Sequence, residues 1–275
     1  MQLTKHHGLA NDFLVVLDEV NGRGLTVDGD LAVRLCDRRT GVGADGLIHG
    51  ALSADDSADG IDVVMHLFNG DGSRAEMSGN GIRCLGQALA TARGVNEAVL
   101  HVATDAGVRR LQVEQDDAQR SATVSVEMGP AGAGPSVPAE VDAFLAGAER
   151  PGTRAATVDM GNPHLVVVVP DPTHIDLASE GPWLEKHFAE GINVEFIAPG
   201  GADTLVLRVW ERGAGITQAC GTGACAAAHV AHEWGLVGAR VRVDMPGGSA
   251  EVELGPSITL IGPSTHVATI EIPDA

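Results

Sequence analysis

Short segments in which apolar and polar residues alternate follow one another along most of the chain. Examples are FLVVLDEV, DVVMHLF, ATVSVEM and TLVLRVWER, which are separated by Gly, Asp and Asn. Alternation with a period of two and many β-branched residues are typical of strands that bury one face. The chain is therefore predicted to contain many short strands joined by tight turns.

Helical periodicity is confined to a few segments. We predict helices over residues 29–38, 80–93, 138–146, 180–189 and 221–234. Many strands with few helices indicate a mixed α+β fold rather than a doubly wound parallel sheet.

One sequence pattern occurs twice. The first copy begins EMSGNGIRC and the second QACGTGAC, and each continues into a helix-like segment that stops at a glycine, Gly94 or Gly235. A Gly- and Pro-rich segment, residues 128–140, lies between the copies and is the best candidate for a linker. A duplication is the simplest explanation, and it predicts two similar domains whose glycine turns face a shared cleft.

The repeated turn predicts an anion-binding site in each half of the chain. A glycine-rich turn at the start of a helix exposes unpaired backbone N–H groups at the positive end of the helix dipole. Ser78 and Cys220 lie at the N-cap positions, where a thiolate is favoured, so we expect a lowered pKa for Cys220. On the motif alone, Ser78 could be only a helix cap and Cys220 only a small buried residue.

Composition narrows the class of protein. The chain has 275 residues, enough for two domains of about 130 residues each. Its 18 Lys and Arg against 37 Asp and Glu give a net charge of −19, which disfavours nucleic acid as a partner. The longest apolar run, HLVVVVP, is of strand length, and the N-terminus lacks the pattern of a signal peptide. We therefore expect no membrane association.

The four cysteines form no C-x-x-C pair, which favours a cytoplasmic protein with reduced thiols. His229 and His232 lie three apart on a predicted helix, but no paired cysteines accompany them, so no metal site is predicted. Polar residues cluster instead in loop-like contexts near the glycine motifs. They are Asn11, Asn69, Asn162, His164, Asn193, Glu211 and Arg212. Such amides and charges suit the carboxylate and ammonium groups of an amino acid.

These motifs resemble the diaminopimelate epimerase family, which belongs to the cofactor-independent amino-acid racemases and epimerases. The resemblance rests on KHHGLANDFLVV, RRTGVGADGL, FNGDGSRAEMSGNGIRC, DMGNPHLVVVV, GINVEF and WERGAGITQACGTGACAAA, which follow the family's order over nearly the whole chain. It implies two similar, pseudo-symmetric α+β domains, each with a mostly antiparallel sheet wrapped around a central helix, and an active site in the cleft. The corresponding expected domains are residues 1–127 with 264–275, and residues 128–263.

The resemblance also implies an activity and a set of site residues. The family inverts one α-carbon of LL-diaminopimelate to give the meso form, with two cysteines and without metal or pyridoxal phosphate. Its relatives are commonly dimers. Cys220 matches one catalytic cysteine, and His164 and Glu211 match residues that tune the cysteines. The substrate-binding positions correspond to Asn11, Asn69, Gly79, Asn80, Asn162, Asn193, Glu211, Arg212, Gly221 and Thr222.

Three positions depart from the family pattern. The second catalytic cysteine falls at Ser78, a Gln that helps to bind substrate falls at Gly46, and a Glu falls at Ile216. Cys84 does not replace the missing thiol, because it lies about 9 Å further along the helix axis. Three readings stay open: a diaminopimelate epimerase, an epimerase or racemase of another amino acid, and an amino-acid-binding relative without catalysis.

Overall fold

The computed structural model describes residues 1–52, 60–147 and 153–273. The chain divides into two compact units. The first comprises Met1–Glu127 with Ile261–Ala275, and the second comprises Met128–Leu260.

The first unit contains eight of the described strands and three helices. Its strands are β1 (Gln2–Gly8), β2 (Asn11–Leu17), β3 (Gly46–Ala51), β4 (Val63–Asn69), β5 (Arg74–Ala75), β6 (Glu97–Thr104), β7 (Gly107–Gln115) and β8 (Ser121–Gly129). Its helices are α1 (Asp18–Asn21), α2 (Gly29–Cys36) and α3 (Gly79–Ala92).

The second unit is built from a similar series of elements. Its strands are β9 (Gly132–Ala133), β10 (Arg154–Asp159), β11 (Pro163–Val168), β12 (Asn193–Gly201), β13 (Thr204–Glu211), β14 (Gly215–Ile216), β15 (Arg240–Met245), β16 (Gly248–Glu253) and the start of β17 (Ile258–Glu271). Its helices are α4 (Ala139–Leu145), α5 (Leu177–Glu185) and α6 (Gly221–Glu233), with a 3₁₀ turn at Pro172–His174.

The two units share one scheme of strand pairing. In the first, β1–β2 is antiparallel, β2–β3 parallel, β3–β4 and β4–β5 antiparallel, β4–β6 parallel and β6–β7 antiparallel. In the second, the same sequence of pairings joins β10–β11, β11–β12, β12–β13, β13–β14, β13–β15 and β15–β16. The predicted α+β fold with two pseudo-symmetric, mostly antiparallel domains is confirmed.

Each unit has one helix that is buried almost all round. In α3, every residue from Gly79 to Ala90 is buried, and the helix packs against β1, β2 and β7 among others. Its small residues permit that closeness: a Cβ added at Gly86 would lie 2.9 Å from Leu111 Cδ2. The Ala-rich α6 is buried in the same way among β10–β13, β15 and β16. Packing of a sheet around a helix therefore explains why both repeats are rich in Gly and Ala.

The last strand begins in the second unit and continues in the first, where it pairs antiparallel with β1, Gln2 opposite Glu271. Two sequence predictions need adjustment. The helix predicted over 180–189 is α5, which starts at Leu177 because the Asp176 side chain caps the amide of Ser179. Within the segment 128–140, residues Gly132 and Ala133 form β9 and pair with β10. No helix in the described part of the chain is long and apolar enough to cross a membrane.

Candidate active site

The first polar cluster surrounds the start of α3. Ser78 has extended backbone angles (φ −133°, ψ 124°), and its Oγ accepts a hydrogen bond from the amide of Gly81 at 3.1 Å. Ser78 is therefore the N-cap of α3, as its position in the motif predicts. Gly79 and Asn80 form the buried first turn immediately after it.

The Asn80 and Asn11 side chains belong to one directional chain of hydrogen bonds. Arg83 Nη2 donates to Asn80 Oδ1 at 2.6 Å, Asn80 Nδ2 donates to Asn11 Oδ1 at 3.2 Å, and Asn11 Nδ2 donates to Asp45 Oδ2 at 2.8 Å. A guanidinium can only donate and a carboxylate can only accept. The charged ends therefore fix which end of each amide is oxygen and which is nitrogen.

Asn69 lies beside this chain, at the end of β4. Its Nδ2 donates to Ser73 Oγ at 3.0 Å, and the amide of the next residue, Gly70, donates to the backbone oxygen of Asp45. In the sheet Asn69 is opposite Gly46, where an added Cβ would lie 2.8 Å from Phe68 O. The backbone at position 46 therefore leaves no room for the Gln expected from the family pattern.

The second polar cluster surrounds the start of α6. Cys220 has nearly the backbone angles of Ser78 (φ −123°, ψ 119°), and its Sγ accepts from the amide of Gly223 at 3.3 Å. Thr222 Oγ1 lies 3.5 Å from Cys220 Sγ, and the Cys220 side chain is buried. The two repeats thus use the same cap geometry, with a hydroxyl in one and a thiol in the other.

The expected lowering of the Cys220 pKa is wrong for this structure. Burial raises the pKa of the thiol well above its ordinary value, and the carboxylates of Glu211 and Glu195 raise it further. The hydrogen bond from Gly223 and the contact with Thr222 act in the opposite direction but are weaker. Desolvation and two nearby carboxylates therefore outweigh the helix N-terminus, which the sequence motif alone did not reveal.

Glu211 is the acidic partner of this thiol. Burial raises its pKa, while hydrogen bonds from Thr217 and Cys220 lower it. Thr217 Oγ1 donates to Glu211 Oε1. Burial thus raises the pKa of both groups, so each holds its proton more tightly than it would in water.

Asn162 lies next to the Thr222 hydroxyl, and His164 lies next to Asn162. His164 Nε2 is 2.9 Å from Asn162 Oδ1, and Asn162 Nδ2 donates to Thr222 Oγ1 at 3.4 Å. On the other side of the ring, His164 Nδ1 is 2.7 Å from Glu195 Oε1, and both side chains are fully buried.

Asn193 and Arg212 complete the second cluster. Asn193 Nδ2 donates to Pro163 O at 2.9 Å, and the Arg212 amide donates to Asn193 Oδ1 at 3.0 Å. The Arg212 guanidinium reaches the backbone oxygen of Glu190 at 3.3 Å. Gly221 and Thr222 are buried in the first turn of α6. Each unit therefore contains one cluster of the polar residues that the sequence predicts to form the site.

Three residues of these clusters were missed at the level of sequence. Arg83 follows Asn80 by three positions on α3, so the two share a helix face. Glu195 follows Asn193 by two positions on β12, so the two share a strand face. Asp45 stands in the motif RRTGVGADGL, directly before Gly46. Spacing therefore carried a signal for two of them, although it could not show that Arg83 and Glu195 are fully buried.

Comparison with solved structures identifies the fold. A protein described as a predicted epimerase from Pseudomonas aeruginosa matches with a TM-score of 0.75 at 16% identity, over 100% of this chain and 99% of that one. A probable proline racemase from Agrobacterium radiobacter matches with a TM-score of 0.69 at 16% identity, over 100% and 93%. The chain therefore has the two-domain fold found in these epimerase and racemase structures.

Sequence comparison defines the family. The diaminopimelate epimerase pattern matches residues 3–133 and 156–265. The diaminopimelate epimerase of Synechocystis is 43% identical over 92% of this chain and 91% of its own, and that of Corynebacterium glutamicum is 39% identical over 98% and 96%. The chain belongs to the diaminopimelate epimerase family.

Proposed function

We propose that this chain converts LL-diaminopimelate into meso-diaminopimelate, a step in lysine and peptidoglycan precursor synthesis, without metal or pyridoxal phosphate. The reaction removes the α-proton from one face of the carbon and returns a proton to the other. The observation that carries the proposal is the buried Cys220 thiol at the N-terminus of α6, whose Sγ accepts from the amide of Gly223 at 3.3 Å. The family resemblance assigns the second group to Ser78, which caps the equivalent helix of the first unit.

In this proposal Cys220 is the base on one face. Its thiol proton passes to Glu211, and the resulting thiolate takes the α-proton of the substrate. The raised pKa of Glu211, which follows from its burial, makes that carboxylate a competent acceptor. The amide of Gly223 points at the sulfur and stabilises the thiolate when it forms.

The glycine turns are assigned to the α-carboxylate of the substrate. Backbone N–H groups around Gly79 and Asn80, and around Gly221 and Thr222, are those of helix N-termini and stabilise the negative charge that spreads onto the carboxylate as the α-proton leaves. The remaining substrate contacts are assigned to the side chains at Asn11, Asn69, Asn162, Asn193, Glu211 and Arg212.

Ser78 is assigned the opposite face. Its hydroxyl delivers a proton to the carbanion, and the alkoxide left behind must regain a proton before the next turnover. A hydroxyl is a far weaker acid than a thiol, whose ordinary pKa is about 8.5. Proton delivery from the Ser78 side is therefore expected to be slower than proton removal at Cys220.

The test is α-proton exchange in D2O, followed by NMR with pure LL-, meso- and DD-diaminopimelate. We expect deuterium to enter the stereoisomer whose α-proton faces Cys220 faster than inverted product accumulates. Loss of this exchange in Cys220→Ala, with retained folding, would support the assignment. No deuterium in any stereoisomer with the unmodified protein would refute the proposed function.

A second candidate, an epimerase or racemase of another amino acid, is favoured by Gly46 and Ile216. Position 46 has no room for a side chain, and Ile216 is 46% exposed where the family pattern has Glu. The same exchange experiment with lysine, ornithine, glutamate and proline separates the candidates, because only an altered specificity would give faster exchange with one of these.

We further propose a cytoplasmic homodimer. All four cysteines are free and buried, which suits a reducing compartment, and dimers are common in the family. Light scattering at several protein concentrations measures the mass in solution. A monomer at every concentration would refute the dimer.

A further inference from the structure

Glu195 is a fully buried carboxylate with an unusual environment. Its Oε1 is 2.7 Å from His164 Nδ1, whereas its Oε2 has no hydrogen-bond partner among the described residues. Removing a carboxylate from water costs several kcal/mol, even when it is paired. A half-paired, buried carboxylate in the middle of a strand does not stabilise the fold, so its presence indicates a functional role.

The carboxylate lies against the first turn of α6, next to the thiol. A Cβ built on Gly223 would be 2.6 Å from Glu195 Oε1 and 3.2 Å from Cys220 Sγ. The space in front of Gly223 is thus bordered by the carboxylate on one side and the sulfur on the other.

The first unit shows that the fold itself does not need this carboxylate. Glu195 is opposite Val166 in the parallel pair β11–β12, and Ile48 is opposite Val15 in the equivalent pair β2–β3. A Cβ on Gly81 would lie 3.2 Å from Ile48 Cδ1, and one on Gly223 would lie 2.6 Å from Glu195 Oε1. The repeat with Ser78 therefore has a methyl group where the repeat with Cys220 has a charge.

A continuous set of contacts joins Glu195 to the thiol. From Glu195 it passes through both ring nitrogens of His164 to Asn162, then to Thr222 and Cys220, with distances between 2.7 and 3.5 Å. A carboxylate can only accept, so it requires a hydrogen on His164 Nδ1 and fixes the ring in one orientation.

We propose that Glu195 is a positioning residue for Cys220: it fixes the His164 ring and its charge keeps the proton on the Cys220–Glu211 pair until substrate binds. The proposal rests on the function assigned above to Cys220. Its consequence is that the free protein holds the thiol uncharged inside the second unit. The proton moves from the sulfur to Glu211 only when the bound substrate changes the local charge.

The other ionisable groups around Cys220 come from the strands that enclose α6. His164 on β11 and Glu211 on β13 lie with Glu195 on the thiol side. The charged side chains of β15 and β16 pair with one another at the surface, and Arg154 of β10 lies over the Trp234 ring. Glu195 and Glu211 are therefore the carboxylates whose removal should change the protonation of the thiol.

The test is the pH dependence of alkylation at Cys220 by a small iodoacetamide-type reagent, without substrate and with the labelled cysteine identified by mass spectrometry. Burial and the two carboxylates raise the thiol pKa, so the alkylation rate of the unmodified protein should increase only at high pH. Glu195→Gln removes one negative charge and should shift the profile to lower pH. Each tenfold gain in thiolate raises the rate only about threefold, because a thiolate of lower pKa is less nucleophilic.

Glu185→Gln is the matched control, since Glu185 is a carboxylate of the same unit that accepts from Trp210 Nε1 at 2.6 Å. Its profile should coincide with that of the unmodified protein. An unshifted profile in a folded Glu195→Gln variant would overturn the proposal. So would an equal shift in the Glu185→Gln control, because the effect would then reflect general loosening.

A second measurement covers the case in which Glu195→Gln does not fold. In protein labelled with ¹⁵N-histidine, the His164 ring N–H that is donated to Glu195 should resonate far downfield. Glu195→Asp keeps the charge but shortens the side chain, so this signal should weaken while the alkylation profile stays close to that of the unmodified protein. An unchanged signal would overturn the positioning role. Absence of deuterium exchange with the unmodified protein would refute the proposed function but would leave both of these readouts intact.

Discussion

Replacing the buried guanidinium of Arg83 should destabilise the first unit strongly. Arg83 is fully buried and donates to Asn80 Oδ1 at 2.6 Å, to Gly79 O at 2.9 Å and to Pro263 O at 3.3 Å. Hydrogen bonds from a charged group contribute about 1.5–3 kcal/mol each, and Arg83→Met leaves three acceptors without these donors. Because such losses are not additive, we expect a decrease of about 3–5 kcal/mol in the free energy of unfolding.

The assay is urea unfolding followed by circular dichroism, with Arg74→Met as the control. Arg74 also belongs to the first unit, but its ion pair with Asp105 is exposed at the surface, so its loss should cost less than about 1 kcal/mol. Since Arg83 also orients Asn80, proton exchange should fall even in the fraction that remains folded. A change below about 1 kcal/mol for Arg83→Met would refute the reasoning that these three bonds hold the start of α3.

Three further results are expected. Ser78→Cys keeps the cap and supplies a stronger acid, so the rate of epimerisation, measured by chiral chromatography, should rise by orders of magnitude; no gain would assign Ser78 to a different chemistry. Burial lowers the pKa of His6 from 6.5 to about 4. Between these two pH values the unfolded chain binds the extra proton, so the free energy of unfolding should increase with pH by about 3 kcal/mol. If a His6→Asn variant showed the same increase of the free energy of unfolding with pH in urea titrations, the assignment would be wrong. Gly46→Ala places a Cβ 2.8 Å from Phe68 O and should lower the free energy of unfolding by about 1–3 kcal/mol. In the control Gly255→Ala, the atom nearest to the new Cβ would be 3.4 Å away. Equal unfolding midpoints for the two variants would show that the backbone around residue 46 can move to accept the Cβ.

Much of the fold follows from local sequence patterns. Alternating apolar residues marked the strands. The first central helix begins at Gly79, one residue before its predicted start, and the second begins at Gly221, as predicted. These boundaries were accurate because the cap residues Ser78 and Cys220 stand in a motif with a clear physical role. The start of α5 was missed because the Asp176 cap lies four residues before the predicted first residue.

The chemistry of the second cluster was less accessible from sequence. A motif shows that Cys220 caps a helix, but the thiol pKa depends on how much water and charge surround the sulfur. Glu195 and Glu211 lie 25 and 9 positions before Cys220 and reach it only through the pairing of β12 with β13. Local spacing therefore predicted the effect of the helix dipole on the thiol pKa. It could not include the larger effects of burial and of the two carboxylates, which come from residues distant in sequence.

The environment of Gly223 has a consequence for how the two repeats can change over time. A side chain at residue 223 would meet the carboxylate of Glu195 at 2.6 Å, so the tolerance of one position depends on the residue at the other. In the first repeat the same dependence links Gly81 to Ile48, and it involves only apolar atoms. After a gene duplication, an exchange at the strand position changes the charge beside one helix cap while the backbone of the repeat is kept. Substitutions at 195 and 223 should consequently be epistatic, and a library that varies both together would contain functional pairs that no single substitution reaches.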